Sequence, residues 1–73
     1  PFDIVSNDQI RLSIYNIKGE MVRSLVNSNL GPGSYKIRWN GKTDSGLNIP
    51  AGMYFIELKG SNFRETGKMI YLK

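Results

Sequence analysis

The sequence predicts an all-β fold, a small antiparallel β-sandwich of about six to seven short strands. Apolar and polar residues alternate with a period of two along most of the chain. Clusters of Gly, Pro, Asn and Asp interrupt the alternation at intervals of roughly 8–12 residues, as in sandwiches. No segment shows the period of an amphipathic helix. The 73 residues predict a single domain, 1–73, whose core is thin because such a chain buries only about 60% of its unfolded surface.

A hairpin is predicted in the first third of the chain. Ile10, Leu12 and Ile14 alternate with polar or aromatic residues, so they share one face of a strand. Residues 16–19 predict the turn, because Asn suits its first position and Gly supplies a positive φ. The alternation resumes immediately after this turn, and residues 20–26 predict the returning strand.

The middle of the chain predicts a loop between two strands. Strict alternation in residues 20–26 puts Val22 and Leu25 on opposite faces. Residues 27–33 predict a loop that closes with the strong breaker Gly-Pro-Gly. Residues 34–39 predict the next strand, with one face formed by Tyr35, Ile37 and Trp39.

The remaining segments predict one long loop and two further strands. Residues 40–50 combine several turn-forming residues and show no sustained alternation. Residues 53–59 are rich in β-forming residues and predict a strand. Residues 63–72 predict the last strand, in which Gly67 marks a bulge or bend. Residues 2–5 resemble the remnant of a truncated first strand, so we expect the C-terminal fragment of a larger protein.

The composition argues against an enzyme. The chain has no cysteine and no histidine, which removes thiolate chemistry, the commonest general base and the commonest metal ligand. Its six carboxylates are scattered: Asp3, Asp8, Glu20, Asp44, Glu57 and Glu65. We therefore predict no catalytic residue, no cofactor and no cofactor-binding residue.

Residues 40–48 contain the main concentration of oxygen ligands. A calcium ion takes about six to eight oxygens, usually including several carboxylates, whereas this loop offers only Asp44. The alternative is that Asp44 and Asn40 accept hydrogen bonds from nearby backbone N–H groups and stabilise tight turns. We predict no metal site, with Asp44 as the single candidate ligand.

Charge and aromatic content leave few other binding classes. The net charge is +4, but the basic residues occur singly, as on the solvent face of a sheet, and we expect no nucleic-acid partner. No apolar stretch reaches the roughly 20 residues of a membrane span. Tyr35, Trp39 and Tyr54 fit either a sandwich core or an aromatic platform for sugars or single-stranded nucleic acid. Tyr15 and Tyr71 are the better candidates for exposed contacts.

Five segments carry a family resemblance that covers residues 10–73. They are residues 12–20 (LSIYNIKGE), 21–26 (MVRSLV), 34–48 (SYKIRWNGKTDSGLN), 50–58 (PAGMYFIEL) and 63–73 (FRETGKMIYLK). In this order they resemble the C-terminal sorting domains (type A) of the bacterial type IX secretion system. Those domains are related to the immunoglobulin-like module of flagellar hook-capping proteins. The resemblance implies an immunoglobulin-like β-sandwich, although the family's usual opening is reduced here to residues 2–5.

The resemblance also implies a function. It points to a non-catalytic C-terminal module that acts as an export sorting and cell-surface anchoring signal of a secreted bacterial protein. The implied partners are the outer-membrane secretion machinery and the N-terminal domains of the parent protein. The implied location is extracellular or at the cell surface, reached via the periplasm. The sorting signal is then expected in the final strand: Lys68, Met69, Ile70, Tyr71, Leu72 and Lys73.

Two other classes of function stay open. A structural or adhesive immunoglobulin-like module, either a spacer in a surface protein or part of a hook-cap, would use the same fold. A carbohydrate-binding module of a secreted hydrolase would use exposed Tyr or Trp side chains. Because the first strand is short, we also expect an unpaired sheet edge and self-association through it.

Overall fold

The computed structural model describes residues 2–72 and contains six strands in two antiparallel sheets. The strands are β1 (Phe2–Ile4), β2 (Asp8–Tyr15), β3 (Met21–Leu30), β4 (Gly33–Tyr35), β5 (Gly52–Lys59) and β6 (Arg64–Tyr71). β1 and β4 form the small sheet, and the large sheet has the order β3-β2-β5-β6. The predicted all-β antiparallel sandwich is confirmed. Among the described residues, no helix has the length and apolar character needed to cross a membrane.

The core is centred on β2, which has a neighbouring strand on each side. Ile10 and Ile14 are 0% and 1% exposed, and Leu12 is buried with them, as the alternation predicts. Ile49 reaches the same core from the long loop and is 2% exposed. Ile14, Ile49 and Tyr54 form the central contact cluster. Because burying one large aliphatic side chain stabilises by about 1.5–3 kcal/mol, these few residues supply much of the stability of so small a domain.

The turn predicted at residues 16–19 is confirmed. Gly19 has a φ of 82°, a conformation that residues with a Cβ rarely adopt. The Oδ1 atom of Asn16 accepts hydrogen bonds from the backbone N–H groups of Lys18 and Glu20, both at 3.0 Å. The Asn side chain therefore stabilises the turn that sets the register of β2 against β3.

Two β-bulges in β3 change which of its side chains reach the core. The β2–β3 register shifts twice, and the residues of β3 left without a partner are Val22 and Leu25. Both side chains pack against the core cluster. The prediction that they lie on opposite faces is wrong, because each bulge adds a residue and re-aims the strand.

β3 is longer than predicted. It continues to Leu30, so the loop predicted over residues 27–33 is wrong for its first part. Residues 27–30 pair with residues 8–11 of β2 through the backbone, and the side chains of residues 27–29 are exposed. A strand that buries no apolar side chain shows no alternation, so the sequence pattern did not indicate this extension.

β4 is shorter than predicted. The strand predicted over residues 34–39 ends at Tyr35, which lies opposite Phe2, the first described residue of β1. Ile37, predicted on an apolar strand face with Tyr35 and Trp39, is 39% exposed. Residues 36–39 do alternate between polar and apolar side chains, but in the described residues no neighbouring strand forms hydrogen bonds with them, and such bonds are what define a sheet.

Gly67 lies in β6 without a bulge, in contrast to the prediction. Its register partner is Ile56, and the β5–β6 register is unbroken. A Cβ added to Gly67 would lie 3.4 Å from Cγ2 of Ile56. Gly67 therefore leaves room beside Ile56 on the core face of β6.

Candidate functional site

β6 forms one edge of the large sheet and contains most of the predicted sorting residues. Among the described residues, no strand pairs with its outer side. Lys68 and Ile70 on β6, and Leu72 immediately after it, are exposed at alternate positions and form what we term the exposed row. Ile70 and Leu72 are 68% and 79% exposed. Lys73, also predicted to belong to the signal, lies outside the described residues.

The other two predicted residues of the signal face inward. Met69 and Tyr71 are half-buried and pack against the core cluster. The ring of Trp39 lies between two tyrosines, with centroids 5.9 Å from Tyr71 and 6.1 Å from Tyr54. We term these three rings the aromatic clamp. Tyr71, predicted as a candidate for exposed contacts, is instead half-buried in this clamp, which holds the C-terminal end of β6 against the core.

Gly41 lies directly against the clamp. It is buried and has a φ of 75°. A Cβ at this position would overlap the ring of Tyr71, at 2.8 Å from Cζ and 2.9 Å from Cε1. The sequence indicates only that Gly41 belongs to a turn. Its contact with Tyr71 has no local signal, because the two residues come from distant segments of the chain.

Asp44 stabilises the edge of β3. Its Oδ1 atom accepts a hydrogen bond from the backbone N–H of Ser24 at 3.1 Å, and its own N–H donates to the carbonyl of Val22 at 3.2 Å. The same oxygen lies 3.7 Å from Nε of Arg23. Within residues 2–72, no group of three or more His, Cys, Asp or Glu side chains is arranged to hold a metal ion.

The long loop closes on itself through short hydrogen bonds. The Oδ1 atom of Asn40 accepts a hydrogen bond from the backbone N–H of Lys42 at 3.1 Å. Asn40 therefore stabilises a tight turn, which is one of the two roles predicted for this loop. The N–H of Thr43 donates to the carbonyl of Leu47 at 2.8 Å, and the N–H of Ile49 donates to the carbonyl of Gly41 at 3.1 Å. This closed loop positions Ile49 in the core and Asp44 on β3.

The outer face of the large sheet carries an apolar patch next to the exposed row. Cross-strand partners share a face, and the register pairs Met53 with Ile70 and Phe55 with both Tyr15 and Lys68. Met53 is exposed, while Phe55 and Tyr15 are half-buried. Ile70 therefore extends a surface on which apolar and aromatic groups adjoin one lysine.

The aromatic residues considered for a sugar platform are used in packing. Tyr35 stacks on Phe2 with centroids 5.5 Å apart, and its hydroxyl donates to the carbonyl of Gly31 at 2.6 Å. Tyr54 is buried. Trp39 is half-buried in the clamp, and its Nε1–H donates to a loop carbonyl at 2.9 Å. These contacts favour the core alternative for all three predicted residues.

Comparison with known proteins bears on the central part of this architecture, from β2 to β5. The chain matches the family described as FlgD Ig-like domain over residues 5–63. This span contains β2 to β5 and the long loop, and it ends immediately before β6. No match to a curated protein or to a solved structure was found. Domains of this kind are generally non-catalytic. Since the match covers well over half of the sequence, the chain belongs to the FlgD Ig-like domain family, the immunoglobulin-like module of flagellar hook-capping proteins.

Proposed function

We propose that this domain is a non-catalytic C-terminal module that sorts a secreted bacterial protein for export and anchors it at the cell surface. The observation that carries the proposal is the position of the closing motif on an open sheet edge. The exposed row is presented outward from β6, while the aromatic clamp holds the same strand from inside. A strand that is both fixed and unpaired is a common recognition element, because its backbone N–H and C=O groups are available to a partner.

The family resemblance supplies the partners in this proposal. The outer-membrane secretion machinery reads the exposed row, and the N-terminal domains of the parent protein are the cargo. The location is then extracellular or at the cell surface, reached via the periplasm. Lys68 next to the apolar Ile70 favours a receptor surface that combines acidic and apolar groups, because complementary charges set specificity and association rate.

An export assay tests this proposal. A passenger protein fused to the 73-residue chain is expected to reach the surface of a host that has the type IX system. The double variant Lys68→Gln with Lys73→Gln removes two cations, and Lys68 is exposed on β6. Exposed charges seldom alter stability by more than about 0.5 kcal/mol, so the variant should stay folded. We expect export to fall several-fold, and receptor binding to weaken further as salt rises.

A matched control separates recognition from total charge. Lys18→Gln with Lys36→Gln removes the same two charges from exposed positions away from β6, and export should be unchanged. If the intact module never directs export, the sorting function is wrong. Equal loss in both double variants would also contradict a signal located on β6.

A second candidate function is a structural module of the hook-cap or spacer type. The specific observation in its favour is the family match, which covers residues 5–63 and does not include β6. In this role the domain supports assembly through its fold, and changes in the exposed row leave its activity intact. Export that is independent of the module, together with loss of assembly when the module is deleted, would favour this candidate.

Self-association through an open sheet edge stays a prediction. The segment after β4 has the unpaired character expected for such an edge. In a two-fold antiparallel pair centred on Ile37, however, Lys36 of one copy would lie opposite Arg38 of the other. Directly opposed like charges destabilise a strand pair, so we expect association through this segment only at high salt, which screens the charges.

A further inference from the structure

We propose that the open edge of β6 binds an extended segment of a partner protein by strand addition. In this arrangement an apolar side chain of the partner fills a gap beside Gly67, and a basic side chain meets Glu65. The inference rests on the proposed function, because it states how the strand taken as the signal is read.

The gap lies between the two sheets at the β6 edge. Its volume is about 290 Å³, which is below the roughly 300–1,000 Å³ of small-molecule sites and suits one or two side chains. The apolar part of its lining comes from Phe2, Leu12, Ile37, Ile56 and Leu58. It opens beside Gly67, because that residue contributes no side chain to the core face of β6.

Glu65 is placed on the core face of the same strand. Gly67 pairs with Ile56, which packs against the core, and Glu65 pairs with Leu58 two positions along β5. Residues two apart on a strand share a face, so Glu65 lies on the side of the gap and lines it. Glu65 is also exposed to solvent, and a carboxylate there is available to a cation that arrives along the edge.

The surroundings of Glu65 are acidic although the chain as a whole is basic. An adjoining cavity of about 420 Å³ is lined by Glu65 together with Asp3 and Asp8. These are three of the six carboxylates in a chain of net charge +4. An inward-pointing charge on an edge strand ordinarily prevents pairing. Here the carboxylate of Glu65 disfavours any added strand that lacks a basic side chain at the opposite position. Glu65 therefore selects among possible partner segments.

The register of β6 defines the chemistry of the partner. In an antiparallel added strand, the residue opposite Gly67 is apolar and fills the gap. The residue two positions later lies opposite Glu65 and is basic, and the residue just before the apolar one lies opposite Lys68 and is acidic. The partner segment therefore reads acidic, apolar, any residue, basic.

A second copy of this chain does not fit the same edge. A two-fold antiparallel pair of β6 strands centred on Lys68 puts two lysines opposite each other. Centring on Thr66 puts Arg64 opposite Lys68. Centring on Gly67 puts two glycines together and leaves the gap empty. Like charges or an unfilled gap disfavour these three arrangements. Centring on Met69 puts Tyr71 opposite Gly67, but that ring is held against Trp39 of its own copy, and Lys68 then lies opposite Ile70 and not opposite an acid. The occupant that satisfies all three positions is therefore a segment of a different protein.

A peptide titration tests the inference. The probe is the peptide Val-Ala-Asp-Leu-Thr-Lys-Glu, added to the isotope-labelled 73-residue chain and followed by NMR. We expect saturable shifts in the β6 amides, and none with a scrambled peptide of the same composition. Gly67→Leu places a side chain of the protein itself in the gap. We expect it to weaken binding about tenfold or more while the melting temperature is kept or raised, since Gly weakens a strand interior.

Two controls locate the effect. Thr66→Leu adds a comparable side chain on the outer face of β6, and binding should stay within about twofold. Glu65→Lys should lose the original peptide and gain a peptide in which Lys is replaced by Glu. Peptide binding that is unaffected by Gly67→Leu, or no binding of any peptide, would overturn the inference. Sedimentation showing dimers that Gly67→Leu abolishes would overturn it in favour of a second copy.

The export assay distinguishes this inference from the proposed function. If Gly67→Leu is exported as well as the intact module, sorting stands and strand addition at the gap is wrong. If the peptide binds as expected but the intact module directs no export, strand addition stands and the sorting function is wrong.

Discussion

The two edges of the large sheet differ in how their backbone is protected. β3 has two bulges and is covered over part of its length by the long loop. β6 is regular and, over residues 2–72, has no strand or loop bonded along its outer side. An uncovered edge is a template for strand addition. The fold thus closes one edge against pairing and leaves the other accessible.

The protection of β3 is made of polar contacts. Asp44 occupies the N–H of Ser24 and the carbonyl of Val22, two backbone groups of the edge strand. The guanidinium of Arg23 donates to two loop carbonyls at 3.2 and 3.3 Å. Both interactions lie in partly exposed surroundings, so each contributes only about 1 kcal/mol. Their main effect is to occupy groups that a second strand would otherwise use.

β6 is stabilised differently, by apolar contacts from the core side. Met69 and Tyr71 pack inward, and Gly41 admits the ring of Tyr71. Because these contacts all lie on one face, they hold the strand without blocking its outer edge. This difference predicts that substitutions in the aromatic clamp lower the stability of the fold strongly. Substitutions in the contacts that cover β3 should lower stability only slightly, but they should change the association between copies of the chain.

Gly41→Val is expected to have the largest effect. The valine side chain would overlap the ring of Tyr71. The valine backbone would also have to adopt the φ of 75° that Gly41 has. We expect a loss of about 3 kcal/mol, near the upper end of single-substitution effects, measured by thermal or denaturant unfolding. Gly46→Ala is the control, because Gly46 has a φ of 88° with no atom within 4 Å. It should lose only the backbone term of about 1–2 kcal/mol, and equal losses would contradict the clamp.

Trp39→Ala is expected to have the second-largest effect on the free energy of unfolding. It removes a half-buried ring that contacts both tyrosines of the clamp. We expect a loss of about 2–3 kcal/mol, below the about 3–5 kcal/mol of a fully buried aromatic residue. Hydrogen exchange should show the amides of residues 69–72 losing protection first. Trp39→Phe keeps a six-membered ring but loses the five-membered ring and the bond from Nε1, so a smaller loss of about 1–2 kcal/mol is expected. A melting temperature of Trp39→Ala close to that of the unaltered chain would show that the clamp does not stabilise β6.

Asp44→Ala is expected to have the smallest effect on stability and a clear effect on association. It removes the acceptor for the N–H of Ser24 and costs about 1 kcal/mol, measured by unfolding. Light scattering at low and high salt should show the variant associating at concentrations where the unaltered chain is monomeric, because a backbone donor of β3 is freed. Asp44→Asn keeps an acceptor and should behave like the unaltered chain. No change in association for Asp44→Ala would mean that the bulges alone protect β3.

Local patterns predicted the elements that depend on neighbouring residues. The turn at residues 16–19 follows from Asn16 and Gly19, and the buried positions of β2 follow from alternation. The bulges at Val22 and Leu25 were not predicted, because a bulge depends on how two strands align and leaves no mark in the residues themselves.

The candidate site was predicted in part. The family resemblance predicts a sorting signal in residues 68–73, and this stays a prediction; residues 68–72 lie at an open edge of the large sheet. The arrangement of the core face of β6 was not predicted. The sequence pattern predicts a bulge or bend at Gly67, and it shows Glu65 only as one of six scattered carboxylates. Period-two counting back from Met69 is the signal that would have placed both on the core face.

The sequence by itself determined the all-β class, the first hairpin and the apolar face of β2. These features follow from residue types and from spacings of a few residues, where backbone geometry alone sets the consequence. Only the tertiary structure decided which edge is covered, which side chains of β3 reach the core, and why Gly41 must lack a side chain. Those outcomes depend on strand register and on contacts between segments far apart in the chain, where packing rather than local propensity selects the arrangement.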